Sequence, residues 1–553
     1  MKKILNFSLF FFLLGSNIVN AQSFTEILGR PTDNSITVSV LFDQATDLYI
    51  EYGAVSGVYT SSTTQITNVA GTPDEIDLTG LNADTKYYYR TRYRASGGGT
   101  FLAGTEHSFY TQRAVGSTFS FDVEADVHLC DKKGARGLYR ITLANEAADN
   151  PDFMLDLGDN FGNDHNPLSI TSHQLDSLHK MYRPFYGIVC PSAPLYLCLG
   201  NHEGEKDYYL NTTPPNNMAV NGTLWRKFYY PNPYPNNFYT GDTAHEGYGI
   251  GQPENYYAWT WGNALFVVLD VYRYDCYIAD TTAKPENWNW TLGFEQYTWL
   301  KNTLENSTAQ YKFVFAHHTR GEGRGGIETA KCFEWGGYES DSTTWGFTTN
   351  RPGWAKPIHQ LFVDNGVNIF FQGHDHLFAH EVLDGVTYQE VPMAADSTYR
   401  IGITANGAAY VSDTLDGSGH IRVNVSPACV KVDYVRAYKP ADTLSGIHHN
   451  REIAFTYNIG NCTTGIENVT NEESVKVYPN PASNTLFIKT ENSKDYSRPI
   501  ALINMMGETI TAGEMKSGNT SEAIDISKVS SGLYFVKIFD HSNYSISKIA
   551  VIK

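Results

Sequence analysis

FSFDVEADVH, residues 119–128, sets an apolar run directly before an Asp-x-His triplet, Asp126-Val127-His128. The arrangement recurs along the chain. FMLDL (153–157) precedes Gly158-Asp159-Asn160, LYLCL (195–199) precedes Gly200-Asn201-His202-Glu203, KFVFA (312–316) precedes His317-His318, and VNIFF (367–371) comes just before Gly373-His374-Asp375-His376. Short apolar runs of this kind are the form expected of strands buried in a sheet. Strands that all end in oxygen and nitrogen donors deliver those donors to one edge, and the pattern reads as a dinuclear metal site. Taken singly the motifs are weak, since an Asn-His pair is more often a loop cap than a ligand. The full ordered set, each member after an apolar run, is hard to produce by packing alone.

Outward from these runs, the chain alternates strand and helix patterns. ARGLYRITLANEAAD (135–149), SHQLDSLHKMYRPFY (172–186), FEQYTWLKNTLEN (294–306) and AKPIHQLFVDNG (355–366) carry apolar residues at three- and four-residue spacing. The last stops at Asn365-Gly366, a sound helix terminus. This alternation predicts a layered α/β core over residues 115–440. Two stretches, 211–242 and 320–353, read as long loop-rich inserts whose aromatic content favours a packed rim.

The 553-residue length exceeds what one core supports, so the chain is multidomain. Residues 1–21 combine two lysines, an apolar stretch and a small-residue end at Val19-Asn20-Ala21, which predicts a secretory signal cut before Gln22. No later stretch is long and apolar enough to span a membrane, so no transmembrane segment is expected in the mature protein. A net charge of −18 argues against stable nucleic-acid binding. It leaves a phosphate-bearing substrate open, because bound metals dominate the local charge. The seven cysteines form no Cys-x-x-Cys pair, which disfavours a zinc–thiolate cluster, and their odd number leaves at least one thiol unpaired.

Residues 22–114 read as all-β, through ITVSVLF, DLYIEYG, TKYYYRTRYR and EHSFYTQ. EIDLTGLNADTKYYYRTRY resembles a fibronectin type III domain, with a leucine and a tyrosine corner bracketing the turn into a core strand, and implies a β-sandwich that serves as a spacer. Residues 441–470 read as a polar linker. Residues 471–553 turn β-rich again. Tyr478-Pro479-Asn480-Pro481, Ser530-Ser531-Gly532-Leu533-Tyr534 and the terminal lysine resemble the C-terminal sorting domain of the type IX secretion system. The resemblance implies a small C-terminal β-sandwich, passage across the outer membrane by the secretion machinery, and release or surface attachment.

Asp-x-His, Gly-Asp-x, Gly-Asn-His-Glu, an apolar run ending in His, and Gly-His-x-His together resemble the calcineurin-like metallophosphoesterase signature. That resemblance implies an αββα-type layered core. It places Asp126, His128, Asp159 and His376 on one metal ion and Asp159, Asn201, His317 and His374 on the other, with Asp159 bridging. His202 then contacts phosphate and protonates the leaving group. Carboxylate and amide oxygens mixed with imidazoles suit Zn, Mn or Fe better than Ca. Two such ions make hydroxide available near neutral pH, for attack on a phosphate monoester or diester by a metal-bridging hydroxide. Two dications, two carboxylates and one hydroxide leave a formal charge of about +1, which attracts phosphate.

His318, Arg320 and Arg324 are candidate substrate contacts, with solvated loop arginines the bland reading. Asp164 and His165 are weaker candidates, and Asp270 reads as a structural strand-end residue. The combination of sandwich and phosphatase core is similar to purple acid phosphatases, with two departures. Their tyrosine ligand, three positions after the bridging aspartate, is Gly162 here, and His128 stands where they have no histidine. A tyrosinate-coloured ferric site is therefore not expected. Two other readings compete: a surface adhesin on a vestigial phosphatase fold, which a missing ligand would favour, and a metal-dependent nuclease, which the net charge disfavours.

Overall fold

The computed structural model describes residues 22–553 apart from 132, 163–168, 207–216, 276–286, 320–323, 403–404, 411, 445, 461, 463–474, 491, 505–508 and 541–542. The expected signal segment, Arg320, Asp164 and His165 lie outside the described residues. The chain forms two compact units, Met1–Asn461 and Cys462–Lys553. No helix among the described residues is long and apolar enough to cross a membrane.

The first unit opens with β1 (Phe24–Gly29), β2 (Ser35–Phe42), β3 (Thr46–Gly53), β4 (Pro73–Thr79), β5 (Lys86–Ala95) and β6 (His107–Tyr110). β1-β2-β4 form one antiparallel sheet, and β3, β5 and β6 pair in another. Period-two burial explains the pairing. In β5, Tyr87, Tyr89, Thr91 and Tyr93 turn inward onto Leu28, Val38, Leu48 and Ile50. The Tyr87 hydroxyl accepts the Asn82 N–H at 3.0 Å, closing the turn into β5. This layer is fixed to the core behind it. Leu28 N donates to Cys190 O at 2.9 Å, the Tyr89 hydroxyl donates to Pro191 O at 2.9 Å, and the buried Arg183 guanidinium reaches Ser39 Oγ at 3.1 Å.

The core is built from two facing sheets. The first contains β7 (Phe119–Glu124), β8 (Phe153–Asp156) and β9 (Leu195–Leu197). The second contains β10 (Tyr257–Trp261), β11 (Ala264–Val268), β12 (Tyr311–Phe315), β13 (Ile369–Gln372), β14 (Phe378–Leu383) and β15 (Val386–Glu390). Strands β16 (Gly419–Val425), β17 (Cys429–Arg436) and β18 (Ile453–Gly460) return to complete the first sheet, in the order β9-β8-β7-β16-β17-β18. β7, β8 and β9 run parallel, as do β11, β12 and β13, so each set points its C-terminal ends one way.

Between the sheets lies an aromatic core, in which Phe121 meets Phe266 edge-on at 5.2 Å and Phe153 meets Trp259 at 5.8 Å. Helices α1 (Arg136–Asp149) and α2 (Ser172–Tyr186) cover the outer face of the first sheet through Tyr139, Leu143, Tyr182 and Phe185. Helices α3 (Met218–Tyr229), α4 (Gly293–Glu305) and α5 (Ile358–Asp364) follow in the chain. Leu300 and Leu304 of α4 and Leu361 and Phe362 of α5 cover the second sheet. The result is the αββα layering.

Two expectations are corrected. The segment expected as linker, 441–470, contains β18, which pairs antiparallel with β17. Phe455, Tyr457 and Ile459 alternate with exposed residues and pack half-buried against the core, a strand signal masked by the polar stretches on either side. The insert expected as loop, 211–242, contains α3, whose N-cap Asn217 accepts the Val220 N–H at 3.2 Å. Its buried face is formed by small and polar side chains as well as Met218 and Tyr229, which blurs the periodicity. Among the described residues, Cys130, Cys190, Cys198 and Cys332 are free thiols.

The second unit forms a small sandwich. β19 (Lys476–Tyr478), β20 (Thr485–Lys489), β21 (Arg498–Ile503), β22 (Thr509–Met515), β23 (Ser521–Asp525), β24 (Gly532–Asp540) and β25 (Asn543–Val551) divide into sheets β19-β20-β23 and β22-β21-β24-β25. They enclose Leu486, Ile488, Leu502, Val536 and Ile549.

Candidate metal centre

The C-terminal ends of β7, β8, β9, β12 and β13 carry Asp126 and His128, Asp159, Asn201 and His202, His317 and His318, and His374 and His376 respectively. All are buried. The chain bends sharply at these ends. Asp126, His128, Asp159, His374 and His376 hold φ of 56°, 50°, 65°, 75° and 62°, a left-handed conformation that costs a non-glycine residue about 1 kcal/mol or more. Interlocked hydrogen bonds impose it. Asp126 N donates to Gly158 O (3.0 Å), His128 N to Asp159 O (3.3 Å), Gly373 N to His317 O (2.8 Å) and His374 N to Asp126 Oδ2 (2.8 Å).

Two overlapping groups result: Asp126, His128, Asp159 and His376 in one, and Asp159, His317 and His374 in the other. Asp159 Oδ2 faces both, at 3.5 Å from His128 Nε2 and 3.3 Å from His317 Nε2, while Oδ1 accepts the His202 N–H at 2.8 Å. His128 Nε2 lies 3.0 Å from His376 Nε2. The Nδ1 atoms of two rings are held from behind, His128 by Asp131 Oδ2 at 3.1 Å and His317 by Leu157 O at 2.8 Å, which turns Nε2 of each inward.

Donors without acceptable partners mark the interior. Asp126 Oδ1, Asn201 Oδ1, His317 Nε2 and both His374 ring nitrogens are buried and make no hydrogen bond among the described residues. Buried polar atoms in such number are costly unless a cation meets them. The donor set, carboxylate and amide oxygen with imidazole nitrogen, fits a pair of divalent or transition ions.

Electrostatics follow the same geometry. Burial opposes ionisation of Asp126 and Asp159, yet the surrounding histidines hold both carboxyls far below the usual range. Burial likewise opposes charging of His128 and His317, but the neighbouring carboxylates raise them to about 9 and about 10. His374 and His376 are pushed down, chiefly by burial, into the neutral form that ligates.

Support residues escaped the sequence reading. Glu203 accepts N–H groups from Gly200 (2.6 Å), Asp159 (3.0 Å), Asn160 (2.6 Å) and Phe161 (3.1 Å), tying the loop after β8 to the loop after β9. Its place inside Gly-Asn-His-Glu was the available signal. Asp375, inside the last motif, receives Arg324 Nη1 (2.7 Å), Gly325 N (2.8 Å) and the Tyr410 hydroxyl (2.9 Å). Arg324 also donates to His374 O at 3.1 Å, so the proposed phosphate fork is engaged by the protein through Nη1. His318 sits at the site, its ring 5.2 Å from that of His374. Asp270 is structural: it accepts from Tyr272 N, Asn255 Nδ2 and Arg273 N at 2.8–3.0 Å. At Gly162 a Cβ would lie 2.1 Å from His202 O and 2.4 Å from Met218 Cε, so no side chain fits without displacing His202.

Two overlapping groups of candidate ligands at the strand ends of an αββα core are the arrangement of the metallophosphoesterase fold class. Residues 119–378 match the calcineurin-like phosphoesterase family and residues 476–553 the secretion system C-terminal sorting domain. The chain carries both domains, and the second implies type IX export. Among solved structures, one of PhoD is similar at 17% identity and a TM-score of 0.54, covering 79% of this chain and 90% of that one. The purple acid phosphatase PPD1 from yellow lupin (Lupinus luteus) seeds is similar at 15% identity and a TM-score of 0.51, covering 80% and 75%. At these identities the likeness is one of fold. Comparison with curated proteins returns no match.

Proposed function

We propose that this protein is an exported phosphoesterase that hydrolyses phosphate monoesters or diesters with two divalent ions. Asp126, His128, Asp159 and His376 hold one ion, and Asp159, Asn201, His317 and His374 hold the other. The observation that carries this reading is the position of Asp159 Oδ2, within 3.5 Å of an inward Nε2 from each side. Zn, Mn and Fe(II) suit the donors. When bound, such ions lower the pKa of water toward neutrality and offset charge on the phosphoryl oxygens.

The residues themselves do the positioning. The His202 N–H and the Glu203 clamp fix Asp159, and the backing of His128 and His317 fixes their tautomers. His202 Nε2, 3.9 Å from Asp159 Oδ2, sits where it can give a proton to a leaving alkoxide. The sorting domain and the expected signal segment direct the protein out of the cell, to the medium or the surface. Fibronectin-like residues 22–114 serve as a spacer.

The test is turnover of para-nitrophenyl phosphate and its bis ester by the purified protein, with and without EDTA and Mn. Metal-dependent release of nitrophenol is expected. Loss of neither activity in EDTA, or no turnover in any metal, overturns the reading.

A further inference from the structure

A second group of ionisable side chains lies in the layer between the first sheet and α1, away from the strand ends. Along β7, Phe121 and Val123 face the aromatic core, so Asp122 faces the helix. The antiparallel register sets Asp122 opposite Arg422 and Val123 opposite Ile421, which puts His420 on the same face. From α1, Glu146 and Asp149 descend onto these residues.

Asp149 is well compensated. It accepts from His420 Nε2 at 2.8 Å and Arg422 Nη1 at 2.9 Å, and pairs with Arg451. Its neighbours are not. Neither oxygen of Asp122, neither oxygen of Glu146, and not His420 Nδ1 has a hydrogen-bond partner among the described residues. All three residues are 0% exposed. His420 Nδ1 is 3.9 Å from Glu146 Oε1. Buried carboxylates without donors cost several kcal/mol each, so a cation or protons must stand among them.

Three features favour the cation. His420 Nδ1 lies 3.9 Å from Glu146 Oε1, and an Asp122 carboxylate oxygen comes within 4.8 Å of a His420 ring nitrogen and of Asp149, spacings that an ion with metal–donor distances of roughly 2.0–2.6 Å can bridge. His420 gives its Nε2–H to Asp149, the arrangement that fixes a metal-binding imidazole and leaves Nδ1 as a lone-pair donor. Around the cluster, Glu124 adds a further acid, whereas Arg422 is shared with Asp433.

We propose that Asp122, Glu146 and His420 Nδ1 hold a third, structural divalent cation, with Asp149 orienting the imidazole. An imidazole with two carboxylates selects Zn or Mn. The ion pins the end of α1 to β7 and β16, four residues before Asp126 on the strand that delivers it.

The experiment is metal analysis of the purified full-length protein and its variants after dialysis, with anomalous diffraction from crystals grown in Mn. Three equivalents are expected, with an anomalous peak among Asp122, Glu146 and His420. Asp122→Asn, which mimics a protonated acid, should lose one equivalent and several degrees of Tm while hydrolysis persists. Asp159→Asn should lose the paired ions and keep the third, which separates this site from the proposed catalytic one. If Asp122→Asn is unchanged in metal content and Tm, protons fill the cluster and the proposal falls. Should that variant fail to fold, an absent anomalous peak in the wild type overturns it equally.

Discussion

His128 Nε2 and His376 Nε2 stand 3.0 Å apart although 248 residues separate them in the chain. Two cis ligands of one ion, each about 2.1 Å from it, are about 3.0 Å apart. Chelation should therefore abolish hydrolysis and lower the thermal midpoint, and Mn or Zn should restore both. Calorimetry and turnover before and after EDTA dialysis check this, and an unchanged midpoint with full activity would contradict it.

Asp159→Ala removes the oxygen that both groups share. We expect loss of the paired ions and of detectable hydrolysis, with the N-terminal sandwich still folded. Metal analysis beside circular dichroism reads the outcome, and retained activity disproves the shared role.

His202→Ala is expected to lower kcat by about 10²–10⁴ while the paired ions stay bound. The loss should be larger for alkyl phosphates, whose leaving groups need a proton, than for para-nitrophenyl phosphate. An equal loss on both substrates would assign His202 to positioning alone.

Glu203→Ala strips one acceptor from four backbone N–H groups. At about 1–3 kcal/mol for each buried donor left unmet, the first unit should be destabilised by several kcal/mol. Denaturant unfolding would measure it, and a shift under about 1 kcal/mol would show that water replaces the carboxylate.

Glu26, in β1, is raised to about 7 by burial, against which the Thr91 hydroxyl acts weakly. A carboxyl raised in the folded state stabilises fully below its unfolded value of about 4.5 and loses that contribution as pH rises through about 7. Stability should fall by up to about 3 kcal/mol between pH 5 and 8. Glu26→Gln should flatten that slope, and an unaltered slope rejects the assignment.

Much of the core was legible because its chemistry is carried at strand ends. A parallel strand buried on both faces needs an apolar run, and a ligand must follow where the strand emerges, so FVFA and His317 announce each other. Helices α1 and α2 were legible because each buries one stripe on one sheet. The clamp around Glu203 was not, because its partners are backbone amides, which leave no trace in residue types. Asp122 and Glu146 were hidden for another reason. An acid inside an apolar strand looks like a solvent-facing position until the helix above it is seen. β18 was missed although Phe455, Tyr457 and Ile459 alternate, because the polar stretches flanking one short edge strand read as linker.

The closed space at Gly162 has an optical consequence. With no room for a side chain at position 162, no phenolate can reach the centre from there, and the ligand-to-metal transition that such a tyrosinate would give is not expected. Loaded with Zn, the protein should be transparent through the visible range, and cobalt substituted at the proposed paired positions should display its own d–d bands against a clear background. Coordination number at each position becomes readable in solution by absorption alone, as substrate or phosphate is added.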